Sequence, residues 1–271
     1  MPGRSSGPPR QPLSHRRPKV AALRKQLPNA DRPRPNKQQL ATKPAPAASA
    51  RSRRVRKENA VAKQVRAAEI YRRLSLLYPD AHCELDFRNP YELLVATILS
   101  AQTTDKQVNL VTPTLFAKYP TAEALASAAP ADVEVIIKST GFFRAKTKSI
   151  VGMAGALVDK FDGTVPNTLA SLVTLRGVGR KTANVVLGNA FDVNEGVVVD
   201  THVARLSKRL DLSRDDDPIK IEQVLMLLFL REQWTLLSHL LIWHGRRICF
   251  ARKPKCGDCV VAELCPSAFR V

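Results

Sequence analysis

Long apolar segments are absent from this chain of 271 residues. A membrane-spanning helix needs about 20 consecutive apolar residues, and the longest apolar run, residues 224–230, is much shorter. We expect that run to form the inner face of a helix. The chain also has no secretory signal. The missing apolar span predicts a protein without membrane association, and reduced thiols at the metal site described below predict a location inside the cell, in the cytoplasm or nucleoid.

Alternation of apolar and polar residues with a period of two, the pattern of half-buried strands, is also nearly absent. The run Val197–Val199 is too short and isolated to support a sheet. Helix signals recur instead, such as Asn89 before Pro90, a cap followed by proline in the first turn. The sequence therefore predicts an all-α protein, with helices over residues 91–102, 145–161 and 234–245 and further helices starting near residues 104, 121, 130 and 218.

Acidic residues are scarce in residues 1–60, which contain Asp31 and Glu58 against sixteen Lys and Arg. Most of the net charge of +19 therefore lies in this segment, together with ten of the nineteen prolines. Its few large apolar residues cannot offset the entropy of ordering. We expect a disordered basic tail that either adds salt-sensitive affinity for phosphates or has no specific role. Organelle targeting is less favoured, because the prolines break the amphipathic helix of a transit peptide.

Cysteine is rare outside one short segment. Cys83 stands alone and is expected to be a half-buried apolar residue. The other four cysteines follow the spacing C-x6-C-x2-C-x5-C: Cys249, Cys256, Cys259 and Cys265. A long chain without a secretory signal favours a metal site over a disulfide framework. Zinc sites usually have two C-x2-C pairs separated by a longer loop, whereas one compact run with unequal spacings fits an iron–sulfur cluster.

A lysine stands directly behind a Gly-x-Gly turn. We expect Gly177 and Gly179 to allow positive φ and the close approach of backbone N–H groups to an anion. Lys181 falls in the first turn of the helix that follows. A helix N-terminus attracts phosphate and disfavours a protonated amine, so this turn suits both a phosphate contact and a Schiff-base nucleophile. Taken alone, such a turn is as often only a connection between two helices.

Asp200 begins another helix about twenty residues later. The simplest interpretation is an N-cap that accepts hydrogen bonds from the N–H groups of His202 or Val203. A capping carboxylate that also points into a cleft could accept a proton or stabilise a cationic transition state. His202 is expected to have a structural role or to contact phosphate.

Lys181, Asp200 and the four cysteines, in this order, resemble the endonuclease III family of base-excision DNA glycosylases over about residues 61–271. Residues 99–109 resemble the family segment whose glutamine fills the gap left by an extruded base. Residues 140–146 resemble the second intercalating loop, with Phe142 in place of an aliphatic residue. Residues 249–256 resemble the basic loop beside the cluster.

The resemblance implies a bifunctional DNA glycosylase and AP lyase that carries a [4Fe–4S] cluster and acts, as a monomer, on duplex DNA with oxidised pyrimidines or abasic sites. It implies that Lys181 is the nucleophile and Asp200 its acidic partner, with the four cysteines as cluster ligands. The DNA contacts implied are Gln102, Gly177, Gly179, Arg180, Phe142, Arg252 and Lys253.

The resemblance further implies a two-lobed helix-hairpin-helix fold. Residues 83–193 would form a six-helix domain with the hairpin at about 167–191. Residues 61–82 would return to pack with residues 194–271 in a discontinuous iron–sulfur domain. Lys181 and Asp200 would then face each other across the cleft between the lobes.

Two alternatives remain open. An adenine-mismatch glycosylase shares the hairpin, the aspartate and the cluster, but that family lacks the lysine at the position of Lys181 and adds a long C-terminal recognition domain. A non-catalytic DNA-binding or redox-responsive iron–sulfur protein would use Lys181 only as a phosphate contact. Borohydride trapping on abasic DNA distinguishes these readings, because only an imine-forming amine becomes covalently attached.

Overall fold

The computed structural model describes residues 58–271, so the predicted behaviour of residues 1–57 lies outside the described part of the chain. Within residues 58–271 the regular structure is helical and contains no strand, which confirms the all-α prediction. The α-helices are α1 (Ala60–Leu77), α2 (Pro90–Leu99), α3 (Asp105–Lys118), α4 (Ala122–Ala126), α5 (Pro130–Ile137), α6 (Phe143–Phe161), α7 (Leu169–Leu172), α8 (Arg180–Ala190), α9 (Thr201–Arg209), α10 (Pro218–Leu228) and α11 (Trp234–Arg247). Short 3₁₀ segments occur at Lys138–Thr140, Arg231–Gln233, Cys256–Asp258 and Ala262–Leu264.

Side-chain caps start the helices where local sequence predicts them. The Asn89 side chain accepts a hydrogen bond from the Glu92 N–H at 2.9 Å, and Pro90 is the first residue of α2. Asp217 caps α10 in the same way by accepting from the Ile219 N–H at 2.9 Å. The predicted starts near residues 104, 121, 130 and 218 are all confirmed.

Three helix boundaries and one apolar face differ from the prediction. Helix α2 ends at Leu99 rather than at residue 102, α6 begins two residues earlier, and α11 ends two residues later. The apolar run 224–230 is not uniformly an inner face, because Leu227 is 81% exposed and Leu230, beyond the end of α10, is 67% exposed. None of the helices within residues 58–271 is long and apolar enough to cross a membrane.

Two hydrophobic cores organise the described region. The first is built from residues of α2 to α8 and the loops between them, from Leu85 to Leu187. The second joins α1 to α9, α10 and α11, so the N-terminal helix packs with the C-terminal part of the chain. The crossing segment between the cores, residues 191–199, has no regular secondary structure and buries Val197 and Val199 in the second core. Residues 58–60 belong to the cap and start of α1, slightly before the predicted boundary at residue 61.

Candidate active site

A cleft of about 700 Å³ lies between the two cores. One wall comes from α2, α3 and α8, and the other comes from α9 and α11. Lys181, Asp200 and Gln102, which lie far apart in the sequence, all line this cleft. The structure therefore brings together the two residues to which the resemblance assigns the chemistry, Lys181 and Asp200, and the glutamine that is expected to fill the gap left by an extruded base.

Lys181 is the second residue of α8. Its side chain is exposed in the cleft, and its amine makes no hydrogen bond or ion pair to another residue of the described region. The first N–H groups of α8 have no partners within the helix, so the amine stands in the electropositive field of a helix N-terminus. This position leaves the amine accessible to a substrate.

The two glycines of the turn before α8 have different conformations. Gly177 has a φ of +76°, as expected, and a Cβ there would lie 2.9 Å from Ser149 Cβ. The prediction of positive φ is wrong for Gly179, which is the N-cap of α8 with a φ of −94° and a ψ of 176°. A Cβ at Gly179 would meet nothing within 4 Å. Only Gly177 is therefore required by backbone conformation and space.

Asp200 is the N-cap of α9, as the simplest interpretation predicts. One carboxylate oxygen, Oδ1, accepts from the N–H groups of both His202 and Val203, each at 2.8 Å. No described residue donates to the other oxygen, Oδ2, of Asp200, and the residue lines the cleft. Capping therefore uses one oxygen and leaves the second available to a ligand.

Gln102 and Phe142 stand on two exposed loops with strained backbones. Gln102 has a φ of 55° and Phe142 a φ of 47°, in the left-handed region that costs a non-glycine residue about 1–3 kcal/mol. The Phe142 side chain is 68% exposed. Gln107 Nε2 donates to Ser139 Oγ at 2.8 Å and so connects the helix after the first loop to the segment before the second. Such strain is typical of functional loops.

Lys146, a buried residue of α6, supports the Phe142 loop through a hydrogen bond to its backbone. The residue is 5% exposed, and its Nζ donates to the carbonyl oxygen of Thr140 at 2.7 Å. Burial lowers the pKa of the Lys146 amine. No carboxylate of the described region pairs with it, so the loop carbonyl is its hydrogen-bonding partner there.

The predicted basic DNA contacts differ in their surroundings. Arg252 and Lys253 are exposed on the loop after Cys249, and Lys253 has a φ of 52°. Arg180 instead donates its Nε to Glu222 Oε2 at 2.8 Å, and this hydrogen bond raises the pKa of Arg180. The first two side chains are free to meet phosphate, whereas Arg180 is already paired.

The sequence interpretation missed a polar pair in the cleft. His239 Nε2 lies 2.8 Å from Asn189 Oδ1, and the Asn189 amide donates its Nδ2 to the Val185 carbonyl. Burial lowers the pKa of His239 to about 4, with a smaller contribution from His82, so His239 is neutral at pH 7. The bond to Asn189 Oδ1 then requires the proton on Nε2. The sequence signal is a histidine inside the apolar stretch of residues 236–243.

Arg246 forms another cleft contact that was not predicted. Its Nη1 pairs with Asp105 Oδ2 at 2.8 Å and also with Glu84. Arg246 belongs to α11, while Asp105 begins α3 on the opposite wall. The pairs therefore link the two walls at this end of the cleft.

The four C-terminal cysteines line one cavity beyond α11. Arg209 Nη1 donates to Cys249 Sγ at 3.2 Å, and His244 Nε2 lies 3.3 Å from Cys259 Sγ. Cys265 Sγ lies 3.4 Å from the carbonyl oxygen of Arg209. No disulfide joins cysteines within residues 58–271. The cavity thus collects four cysteine sulfurs, one of which accepts a hydrogen bond from the Arg209 guanidinium.

The donor set fits an iron–sulfur cluster. A structural zinc ion would hold its four sulfurs about 2.3 Å from one metal atom, but no three His, Cys, Asp or Glu residues of the described region converge on such a single-ion geometry. A [4Fe–4S] cluster is held by four cysteine thiolates. Four cysteines around one cavity are therefore the donor set that the predicted cluster requires.

Comparisons with known proteins give one consistent result. The model of the HhH-GPD superfamily of base excision DNA repair proteins matches residues 95–229, and that of the iron-sulfur binding domain of endonuclease III matches residues 249–265. Endonuclease III of Synechocystis sp. is 55% identical over 206 residues, covering 76% of this chain and 94% of the relative. Endonuclease III of Bacillus subtilis is 44% identical over 190 residues, covering 70% and 86%.

A solved structure agrees. A trapped covalent intermediate of endonuclease III with DNA superposes with a TM-score of 0.72 at 41% identity, covering 76% of this chain and 96% of that one. The ranges of the two family models include Gln102, Lys181, Asp200 and the four cysteines. The chain therefore belongs to the endonuclease III family and is a base-excision-repair DNA glycosylase with AP lyase activity that carries a [4Fe–4S] cluster.

Proposed function

We propose that this enzyme removes oxidised pyrimidines from duplex DNA through a Schiff base on Lys181 and then cleaves the strand 3′ to the abasic site. The observation that carries the proposal is that Lys181, Asp200 and Gln102 line one cleft. The lesion preference comes from the family resemblance. The covalent intermediate of a related endonuclease III with DNA supports DNA as the substrate.

Base removal begins with extrusion of the damaged nucleotide. A base inside the duplex is out of reach, and a lesion that stacks or pairs poorly costs less to rotate out. The exposed side chains of Gln102 and Phe142 are the candidates to fill the resulting gap, because both project from strained, well-supported loops. The cleft then receives the extruded nucleotide.

Lys181 next attacks C1′ of the sugar. Its unprotonated amine forms the C1′–N bond while the N-glycosidic bond breaks, and the base departs with the bonding electron pair and takes up a proton. The sugar ring opens to give an imine. Asp200 Oδ2, which no described residue occupies, is the candidate group to take the proton from the Lys181 amine or to stabilise the cationic sugar.

The imine also explains strand cleavage. It acidifies the 2′ proton, and removal of that proton forms a C1′–C2′ enamine that expels the 3′ phosphate with its electron pair. Hydrolysis of the imine then releases Lys181. One lysine therefore serves both base removal and β-elimination.

The remaining machinery contributes binding. Gly177, Gly179 and the N-terminus of α8 are suited to hold a backbone phosphate, and Arg252 and Lys253 extend the phosphate contact from the loop after Cys249. The four cysteines would hold the cluster, and a bound cluster supplies metal–thiolate bonds that fix this loop. The division into residues 83–193 and residues 61–82 with 194–271 is supported by the two cores. Both cleft walls come from one chain, which supports action as a monomer on DNA.

Replacing the lysine tests the proposal. Lys181→Gln should retain binding to damaged duplex but lose base release and borohydride trapping, because it removes the amine without adding bulk. Lys220→Gln is the matched control, since Lys220 is an exposed lysine in the first turn of α10 outside the cleft. Trapping of Lys181→Gln at the wild-type level would contradict the proposal.

A second variant isolates the charge of the aspartate. Asp200→Asn keeps an oxygen that can cap α9 but removes the carboxylate. We expect the thermal unfolding temperature to stay close to that of the wild type while single-turnover base release slows by about 10²-fold or more, as for other proton-transfer groups. An unchanged rate would leave Asp200 with capping alone.

A further inference from the structure

Glu222 carries a buried carboxylate at the junction of the two cores. It lies in α10, and its side chain is 6% exposed. A buried carboxylate is stable only when it is paired and hydrogen-bonded. Its oxygens are used separately, because Oε2 accepts from Arg180 Nε at 2.8 Å and Oε1 accepts from Asn184 Nδ2 at 2.9 Å. Both donors belong to α8, the helix that carries Lys181.

The amide of Asn184 shows that the carboxylate sets the arrangement. Asn184 is buried, and its Oδ1 has no hydrogen-bond partner in the described part of the chain. Turning the amide over would place that oxygen against the Glu222 carboxylate. The structure therefore leaves one acceptor of Asn184 unused so that Glu222 receives its second donor.

The crossing segment runs directly past these three side chains. A Cβ at Gly196 would lie 1.9 Å from Glu222 Oε1 and 2.5 Å from Asn184 Nδ2. Arg180 Nη2 also reaches the carbonyl oxygen of Glu195 at 3.5 Å. Asp200, the N-cap of α9, directly follows this segment and lies four residues after Gly196. The group formed by Arg180, Asn184 and Glu222 therefore lies between α8, which carries Lys181, and the start of α9, which carries Asp200.

We propose that Arg180, together with Glu222 and Asn184, is a positioning residue that fixes Lys181 relative to Asp200 and does not contact a DNA phosphate. This inference rests on the proposed function of Lys181. Arg180 is next to Lys181 in sequence, which makes it a natural candidate for a phosphate contact, but its charge is already opposed by a buried carboxylate. Arg180 held in this way orients the neighbouring residues of the site, but it neutralises no phosphate and so releases no counterion when DNA binds.

The two roles predict different measurements. Loss of a phosphate contact lowers the slope of log affinity against log salt by about 0.9 and weakens binding. Loss of a positioning contact leaves that slope unchanged and slows the reaction at saturating enzyme, because a misplacement of about 1 Å can cost about 10²-fold in rate. Glu222 is buried and cannot touch DNA, so a slower reaction of its variant at saturating enzyme cannot come from a lost phosphate contact.

The experiment compares Arg180→Met, Glu222→Gln and the double variant in the full-length, cluster-loaded protein. Single-turnover base release at saturating enzyme and the salt dependence of binding to duplex DNA with an abasic analogue are measured for each. We expect both single variants to slow base release by about 10- to 100-fold, the double variant to be no slower than the slower single variant, and the salt slopes of Arg180→Met and of the double variant to match that of the wild type. Arg252→Ala serves as the positive control for a lost phosphate contact.

Arg180→Lys keeps the experiment decisive if Glu222→Gln fails to fold. Lysine preserves a positive charge for phosphate but lacks the guanidinium geometry that reaches Glu222 and the crossing backbone together. The inference predicts a slow reaction for Arg180→Lys at a temperature well below its unfolding temperature, with the cluster absorbance of the wild type. Removal of the exposed pair Lys208–Asp216, whose closest N–O distance is 2.7 Å, is the control for a surface ion pair and should leave the rate unchanged.

The opposite pattern would overturn the inference. If Arg180→Met lowers the salt slope by about 0.9 with a wild-type rate at saturation, and Glu222→Gln has no effect on rate, Arg180 is a phosphate contact. Failure of the proposed function is recognised separately, because the wild-type protein would then form no borohydride-trapped complex on abasic DNA.

Discussion

Alanine at the two glycines of the hairpin turn should have very different effects on stability. Gly177 has a φ of +76°, and a Cβ there would lie 2.9 Å from Ser149 Cβ and 3.1 Å from Ser149 Oγ. Gly179 has a φ of −94° and open space around the position of a Cβ. The same substitution therefore meets backbone strain and a steric clash at the first site and neither of them at the second.

The structure sets the size of the difference. A left-handed conformation costs an L-residue about 1–2 kcal/mol, and forcing an additional group into a packed site costs about 1–3 kcal/mol. We therefore expect Gly177→Ala to lower the free energy of unfolding by about 2–5 kcal/mol. Gly179→Ala should lower it by less than about 1 kcal/mol, since alanine is only a poorer N-cap than glycine.

Thermal unfolding followed by circular dichroism measures this difference. For a folded region of this size about 2–4 °C of Tm corresponds to 1 kcal/mol, so Gly177→Ala should lower the apparent Tm by about 4–20 °C and Gly179→Ala by less than about 4 °C. Both variants must be compared with wild type at one scan rate and equal cluster content, because loss of the cluster makes the apparent Tm rate-dependent. Equal losses at the two glycines would refute the argument from φ and packing.

Three further predictions concern the wedge, the tail and the cluster. Lys146→Met should preserve the fold but weaken unstacking of the base at the lesion, measured by 2-aminopurine fluorescence, because it removes the hydrogen bond to the Thr140 carbonyl. Lys148→Met, at an exposed lysine, is the control, and equal fluorescence in both variants would contradict the role of Lys146 in supporting the loop. Deletion of residues 1–57 should flatten the salt dependence of DNA binding by about 0.9 in slope per lost phosphate contact without changing saturated single-turnover cleavage, and an unchanged slope would mean that the tail does not touch DNA. Cys259→Ser should lose visible absorbance and lower the unfolding temperature because the loop depends on its ligand, whereas a colourless wild-type protein with one stoichiometric zinc would exclude the cluster.

Local sequence rules predict the helices well because a cap acts over two or three residues. Asn89 before Pro90 and Asp217 before Pro218 start α2 and α10 at the expected positions. Two of the three boundaries that differ, the end of α2 and the start of α6, lie near residues with a positive φ, Gln102 and Phe142. Helix α2 stops before Gln102, whose φ of 55° no side-chain pattern announces.

Contacts between distant segments are the part that the sequence does not predict. The pairing of Arg180 with Glu222 joins residues 42 positions apart, and that of His239 with Asn189 joins residues 50 positions apart. Taken alone, Arg180 reads as an exposed arginine on a helix, and His239 as a polar residue within an apolar helix. Their partners are selected only when the two cores pack against each other.

Asp200 shows why capping and chemistry need not compete at one residue. The two hydrogen bonds to its Oδ1 stabilise the start of α9, and the same bonds restrict the rotation of the side chain. A carboxylate held in this way meets a substrate without first losing conformational freedom, which is the benefit of preorganisation in a catalytic site. Lys181 has the complementary arrangement, because α8 fixes its backbone while its amine stays free of protein partners in the described region. In the proposed reaction Asp200 stays in place and is therefore held through its side chain. Lys181, whose amine must reach C1′, is held only through its backbone.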